Sequence, residues 1–98
     1  MSIPTISMDE LRRWLAEGRP VTVLDVRHAA NHAEWSIPGS RGEDVFDALW
    51  ANDPTALKEI DLPTDRPVVT VCNAGKTSLL AAERLQARGY QALSLAEG

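Results

Sequence analysis

Cysteine occurs once in this chain of 98 residues, at position 72. One thiol excludes an internal disulfide and a thiolate-rich zinc site. Positive charge is also scarce, with 10 Lys and Arg against 14 Asp and Glu, a net charge of -4 and a pI near 5.0. There is no basic run and no interleaving of basic with aromatic residues, so neither nucleic acid nor a membrane surface is an expected partner. The apolar runs are far too short to span a bilayer. Met1-Ser2-Ile3-Pro4 lacks the basic segment and apolar stretch of a secretory signal. With the lone cysteine, this makes a reducing, cytoplasmic compartment the expectation. Repeats and low-complexity tracts are lacking too. What is present, 44% hydrophobic and 24% charged residues, suits one small folded domain with one core.

Strand-like and helix-like patterns alternate along the chain, which predicts an α/β domain around a mainly parallel sheet of about five short strands. Ile3 to Ile6 suggests a short first strand. Ser7-Met8-Asp9-Glu10 reads as a capping box opening a helix with Leu11, Trp14 and Leu15 at helical spacing, ended by Gly18 and Pro20. The charged residues from Glu10 to Glu17 then form a solvated helix face. Val21 to Val26 is a strand covered on both faces. Arg27 to Trp35 predicts a short helix, Ile37-Pro38-Gly39-Ser40 a turn leading to a short strand near Arg41, and Asp44 to Ala51 an amphipathic segment. Asp53-Pro54 has the form of an N-cap with proline at the first helical position, starting a turn or two through Leu57 and Ile60. Residues 63–67 read as a loop, Val68 to Val71 as the second strong strand, Thr77 to Arg88 as the best helix, stopped by Gly89, and Gln91 to Leu95 as the last strand.

The segment Val68-Val69-Thr70-Val71-Cys72-Asn73-Ala74-Gly75-Lys76-Thr77-Ser78 concentrates the chemistry. An apolar strand delivers the cysteine to a short, glycine-containing, cationic loop that opens into a helix. Converging backbone N–H groups and the positive end of a helix dipole favour the thiolate, the nucleophilic form of sulfur. Asp25-Val26-Arg27 ends the other strong strand. Ligands of open parallel sheets bind beyond the C-terminal strand ends, so both features are expected on one edge.

These pieces resemble the rhodanese (sulfurtransferase) family. Leu24-Asp25-Val26-Arg27 is similar to that family's Asp-Val-Arg. Glu34-Trp35-Ser36-Ile37-Pro38-Gly39-Ser40 resembles its Glu-Phe and Ile-Pro-Gly-Ala stretch, shortened between. Cys72-Asn73-Ala74-Gly75-Lys76-Thr77 resembles its six-residue active loop, and Gly89-Tyr90 with Leu95-Ala96-Glu97-Gly98 its close. The resemblance implies a rhodanese-like fold over residues 1–98 with strand order 1-5-4-2-3. It also implies a sulfurtransferase that needs no metal or organic cofactor. Cys72 would take a sulfane sulfur from an anionic donor such as thiosulfate and pass it, as a persulfide, to a thiol or cyanide. Backbone N–H groups of Asn73, Ala74, Gly75, Lys76, Thr77 and Ser78 would cradle the anionic sulfur. Gly75 would let the loop turn, Thr77 or Ser78 would add a hydroxyl hydrogen bond, and Lys76 would attract the donor. With no second cysteine to resolve the persulfide, the acceptor is expected to be an external thiol. One lysine leaves the choice between thiosulfate and mercaptopyruvate open. The family pattern continues with a Trp-containing helix past its closing glycines, and this sequence ends before it. Either the domain is trimmed or its sheet edge is covered differently. The alternative function is a non-catalytic or regulatory binding module of a larger protein, for example beside a metallo-β-lactamase-like persulfide dioxygenase domain.

Other chemistries fit less well. A nucleotide P-loop needs glycine five residues before Gly75, where Thr70 stands. Cys-x5-Arg phosphatases need an arginine at position 78, which is Ser78, so the phosphate would lack its fork. His28 and His32 are four apart and could share a helix face, but two ligands do not make a metal site; they are expected as solvated helix histidines. Asp25 and Arg27, supporting residues of the site, are expected to form an internal salt bridge or brace a loop rather than touch substrate. Trp14, Trp35 and Trp50 read as core or rim packing.

Overall fold

The two apolar runs lie side by side. In the computed structural model, which describes residues 3–72 and 76–96, β2 (Thr22–Asp25) pairs in parallel with β4 (Val68–Val71), Asp25 standing opposite Val71. β1 (Thr5–Ile6), β3 (Arg41–Gly42) and β5 (Ala92–Leu95) complete an all-parallel sheet of order β1-β5-β4-β2-β3, the expected one. Among the described residues four helices connect the strands: α1 (Met8–Ala16), α2 (Ala29–Glu34), α3 (Phe46–Trp50) and α4 (Lys76–Ala87). Among the described residues no helix is long and apolar enough to cross a membrane.

Alternation along the strands divides the core. Val68 and Cys72 face the layer that contains Ala81, Ala82 and Leu85 of α4 and Leu49 of α3. Val69 and Val71 face the layer that contains Leu11 of α1, with Ile6, Ile37 and Leu95. All four residues of β4 are buried. That is why this strand reads as an unbroken apolar run rather than an alternating one.

Helix ends follow local chemistry. Ser7 Oγ accepts the Glu10 N–H at 3.1 Å and caps α1. The Glu10 carboxylate instead lies toward Arg13, 3.8 Å away, so only the serine half of the capping box is realised among the described residues. Leu11 is fully buried, Trp14 half-buried, and Leu15 exposed. Gly18 and Gly89, at φ 71° and 95°, end α1 and α4 in the left-handed region where a side chain is strained.

The Asp53-Pro54 segment departs from a helical start and forms successive turns. Asp53 Oδ1 accepts both the N–H (2.9 Å) and the hydroxyl (2.7 Å) of Thr55, the local bond that competes with helix formation. Asn52 and Leu57 at φ 58° and 63° break the helical repeat on either side. Arg84 Nη2 to Asn52 Oδ1 (2.8 Å) and Arg88 Nη1 to the Leu57 carbonyl (2.7 Å) tie the segment to α4.

Candidate active site

Cys72 follows the last residue of β4, at the C-terminal edge of the sheet. Residue 72 is 3% exposed and belongs to the core layer under α4. The sulfur therefore sits deeper than the loop mouth that its sequence context suggested. Its Sγ accepts the backbone N–H of Ser78 at 3.2 Å. Ser78 is the third residue of α4, where backbone N–H groups have no partner within the helix. The sequence thus places the sulfur at a helix N-terminus, and the structure supplies the donor. Asn73, Ala74 and Gly75, expected to help cradle the sulfur, lie outside the described residues. Lys76 is exposed at the first position of α4, and Thr77 is buried.

A buried polar cluster sets the first turn of α4 on the sheet. Thr70 Oγ1 donates to the Ser78 carbonyl at 2.7 Å and lies 3.2 Å from the Leu93 carbonyl. The hydroxyls of Ser78 and Ser94 are 2.7 Å apart. Thr70 and Ser94 stand opposite each other on β4 and β5, and all three residues are at most 1% exposed. Ser78 meets the sulfur with its backbone N–H, and its hydroxyl joins this cluster. Sequence reasoning missed Thr70 and Ser94. The available signal was a hydroxyl residue inside each of two buried strands, on the face that carries Cys72.

Asp25 and Arg27 flank this edge, because Val26 N–H donates to the Val71 carbonyl at 3.0 Å. Asp25, 2% exposed, accepts the Arg27 backbone N–H (3.0 Å), Nε (2.9 and 3.0 Å) and Nη2 (2.7 Å). Arg27 Nη2 also donates to the Trp35 carbonyl, and its guanidinium lies 5.5 Å from the Trp35 ring centre. Hydrogen bonding to Asp25 pushes the guanidinium above its ordinary value, while burial opposes the shift. The pair is an internal brace holding the chain after β2 to the segment after α2.

The rim residues divide in a way the sequence did not. Trp35 and Trp50 are 59% and 56% exposed, so both belong to the surface. His28 lies at the N-cap of α2 rather than within it, with Nε2 3.1 Å from Asp47 Oδ1. His32 is half-buried, 3.2 Å from Ser40 Oγ, and its ring fills the space above Gly42, where a Cβ would meet it at 3.0 Å. The two rings have separate partners, and neither is simply solvated. Among the described residues no three His, Cys, Asp or Glu side chains are grouped to hold a metal.

Comparison with known proteins agrees with the fold. The rhodanese-like domain family matches residues 7–98. The human thiosulfate:glutathione sulfurtransferase is 31% identical over 100 aligned positions, covering 89% of this chain and 81% of that protein. A probable adenylyltransferase/sulfurtransferase, MoeZ, of Mycobacterium tuberculosis is 33% identical over 88% of this chain, which spans only 21% of that relative's length. A rhodanese homolog from the extremely thermophilic bacterium Thermus thermophilus superposes with a TM-score of 0.68 at 32% identity, covering 98% of this chain and 96% of the other. By its sequence match and its fold, the chain belongs to the rhodanese-like domain family.

Proposed function

We propose that this chain is a sulfurtransferase that carries sulfur as a persulfide on Cys72. The observation behind the reading is the 3.2 Å contact from the Ser78 N–H to Cys72 Sγ at the start of α4. A backbone donor on sulfur favours the anionic nucleophile and also suits a terminal persulfide anion. In the first half-reaction the Cys72 thiolate attacks the sulfane sulfur of thiosulfate. A new S–S bond forms, the donor's S–S bond breaks, and sulfite leaves with the bonding pair. In the second, an acceptor thiolate attacks the outer sulfur, and Cys72 departs as thiolate. Lys76 supplies positive charge for the donor. Thr77 and Ser78 belong to the helix start that meets the sulfur. Asp25 and Arg27 brace the rim. The acceptor is an external thiol, since the chain has one cysteine, and such chemistry suits a reducing, cytoplasmic compartment.

One observation favours a second reading, a regulatory rhodanese-like module. Cys72 is only 3% exposed, as a packing cysteine would be.

Intact mass after incubation with thiosulfate, and separately with mercaptopyruvate, decides between the two. A gain of one sulfur atom that a reducing thiol reverses is expected, and the effective donor identifies the substrate branch. Cys72→Ser should abolish loading while leaving the circular dichroism spectrum near native. Thiol-reversible loading of Cys72→Ser would refute the mechanism. No loading of the parent protein by either donor, with Cys72 still open to alkylation, would support the binding module.

A further inference from the structure

A run of ring contacts on α3 ends at the cation that opens α4. The His28 ring centre is 4.7 Å from that of Phe46. Phe46 and Trp50, one helical turn apart, stack with centres 6.0 Å apart and planes 10° from parallel. Lys76 Nζ then stands 4.4 Å from the centre of the Trp50 ring. Trp50 is 56% exposed, so burial does not explain a large indole at this position. Among the described residues its ring meets the stacked Phe46 and the lysine four residues after Cys72.

The chemistry of the pairing matters. An unrestrained lysine stem samples many rotamers, which spreads its charge over a wide volume. A carboxylate would restrain it but cancel the charge. An indole attracts the ammonium through its ring quadrupole and carries no net charge of its own, so the full positive charge stays available to an anion. Among the described residues Lys76 makes no ion pair within 4.0 Å.

We propose that Trp50 is a positioning residue: it fixes the Lys76 ammonium at the first turn of α4, the turn whose Ser78 N–H meets Cys72 Sγ, so that an anionic reactant meets a charge already in place. The inference rests on the reading of Cys72 as the reacting sulfur, and it extends the site from the loop to α3. It makes Trp50 a determinant of how strongly the site prefers anionic over neutral reactants.

The experiment compares alkylation of Cys72 by iodoacetate, an anion, and by neutral iodoacetamide. Trp50→Leu should lower the iodoacetate-to-iodoacetamide rate ratio about two- to fivefold, the size expected for an exposed cation–π contact. Trp50→Phe should lower it less, and Lys76→Gln at least as much as Trp50→Leu. In the Lys76→Gln background, Trp50→Leu should change the ratio no further. The KM for thiosulfate should rise by the same factor with kcat unchanged. An unaltered ratio in Trp50→Leu would overturn the proposal. So would an equal fall without Lys76, or parallel losses with both reagents, which mark a merely structural role. Because the alkylation ratio does not depend on sulfur transfer, a protein that shows the expected ratios but takes no sulfur would refute the proposed function and leave the role of Trp50 standing.

Discussion

Replacing Asp25 with alanine would strip a buried guanidinium of its counter-charge. Asp25 is 2% exposed and Arg27 8%, and the carboxylate accepts from Arg27 through the backbone N–H, Nε and Nη2. Removing one partner of such a pair costs about 3–5 kcal/mol, because the remaining charge has lost its compensation and cannot be hydrated without disturbing the fold. The Trp35 carbonyl and ring still receive the guanidinium, which places the expectation near about 3 kcal/mol. Domains of this size have total stabilities of about 5–15 kcal/mol. At about 4–8 °C per kcal/mol, Tm should fall by about 12 °C or more. Urea unfolding followed by circular dichroism measures the loss, and an unchanged m-value would assign it to the native state. The double variant Asp25→Val, Arg27→Leu should lose less than Asp25→Ala, since neither charge is then left alone. Arg27→Lys should also lower Tm, because a single ammonium cannot reproduce the fork. A loss below about 1 kcal/mol in Asp25→Ala, the level of an exposed pair, would refute the brace. It would return Arg27 to the candidates for substrate contact.

Three further outcomes test the local accounts. Ser7→Ala should cost about 1 kcal/mol through loss of the α1 cap, and Glu10→Ala only a few tenths, as read from urea midpoints. Thr55 donates to Asp53 from its backbone N–H and hydroxyl, holding that carboxyl below the ordinary range. A lowered native value stabilises the fold above the unfolded pKa of about 3.9. The stability difference between the parent and Asp53→Asn should therefore be constant near neutrality, begin to shrink as pH falls past about 3.9, and be lost only as pH falls through the lowered native value. A difference that does not shrink at all as pH falls below about 3.9 would contradict the assignment. Leu57→Gly should be destabilising by about 1–3 kcal/mol, because losing a side chain only 5% exposed outweighs relief of its left-handed backbone. A stabilised variant would show that backbone strain dominates there.

The sequence by itself determined the framework. Val21 to Val26 and Val68 to Val71 are apolar and β-branched because both faces of each strand are covered, and such runs announce themselves without an alignment. Ser7, Gly18 and Gly89 punctuate helices through contacts spanning three or four residues, so their effect is local and legible. The cysteine, the loop and the following helix are contiguous, which made the sulfur's position at a helix N-terminus readable as well.

Tertiary structure decided what depends on residues far apart in the chain. The depth of Cys72, the Thr70–Ser78–Ser94 cluster that seats α4, and the cation held on Trp50 all join different elements. His28 and His32 looked like a pair because four residues separate them. The helix begins only after His28, and their rings meet Asp47 and Ser40 instead. The turns at Asp53 likewise follow from left-handed residues at 52 and 57, which two arginines of α4 hold in place. Periodicity and caps arise within a few residues, whereas the partners of a buried hydroxyl or an exposed ring are fixed only when the sheet aligns its strands and α3 meets α4.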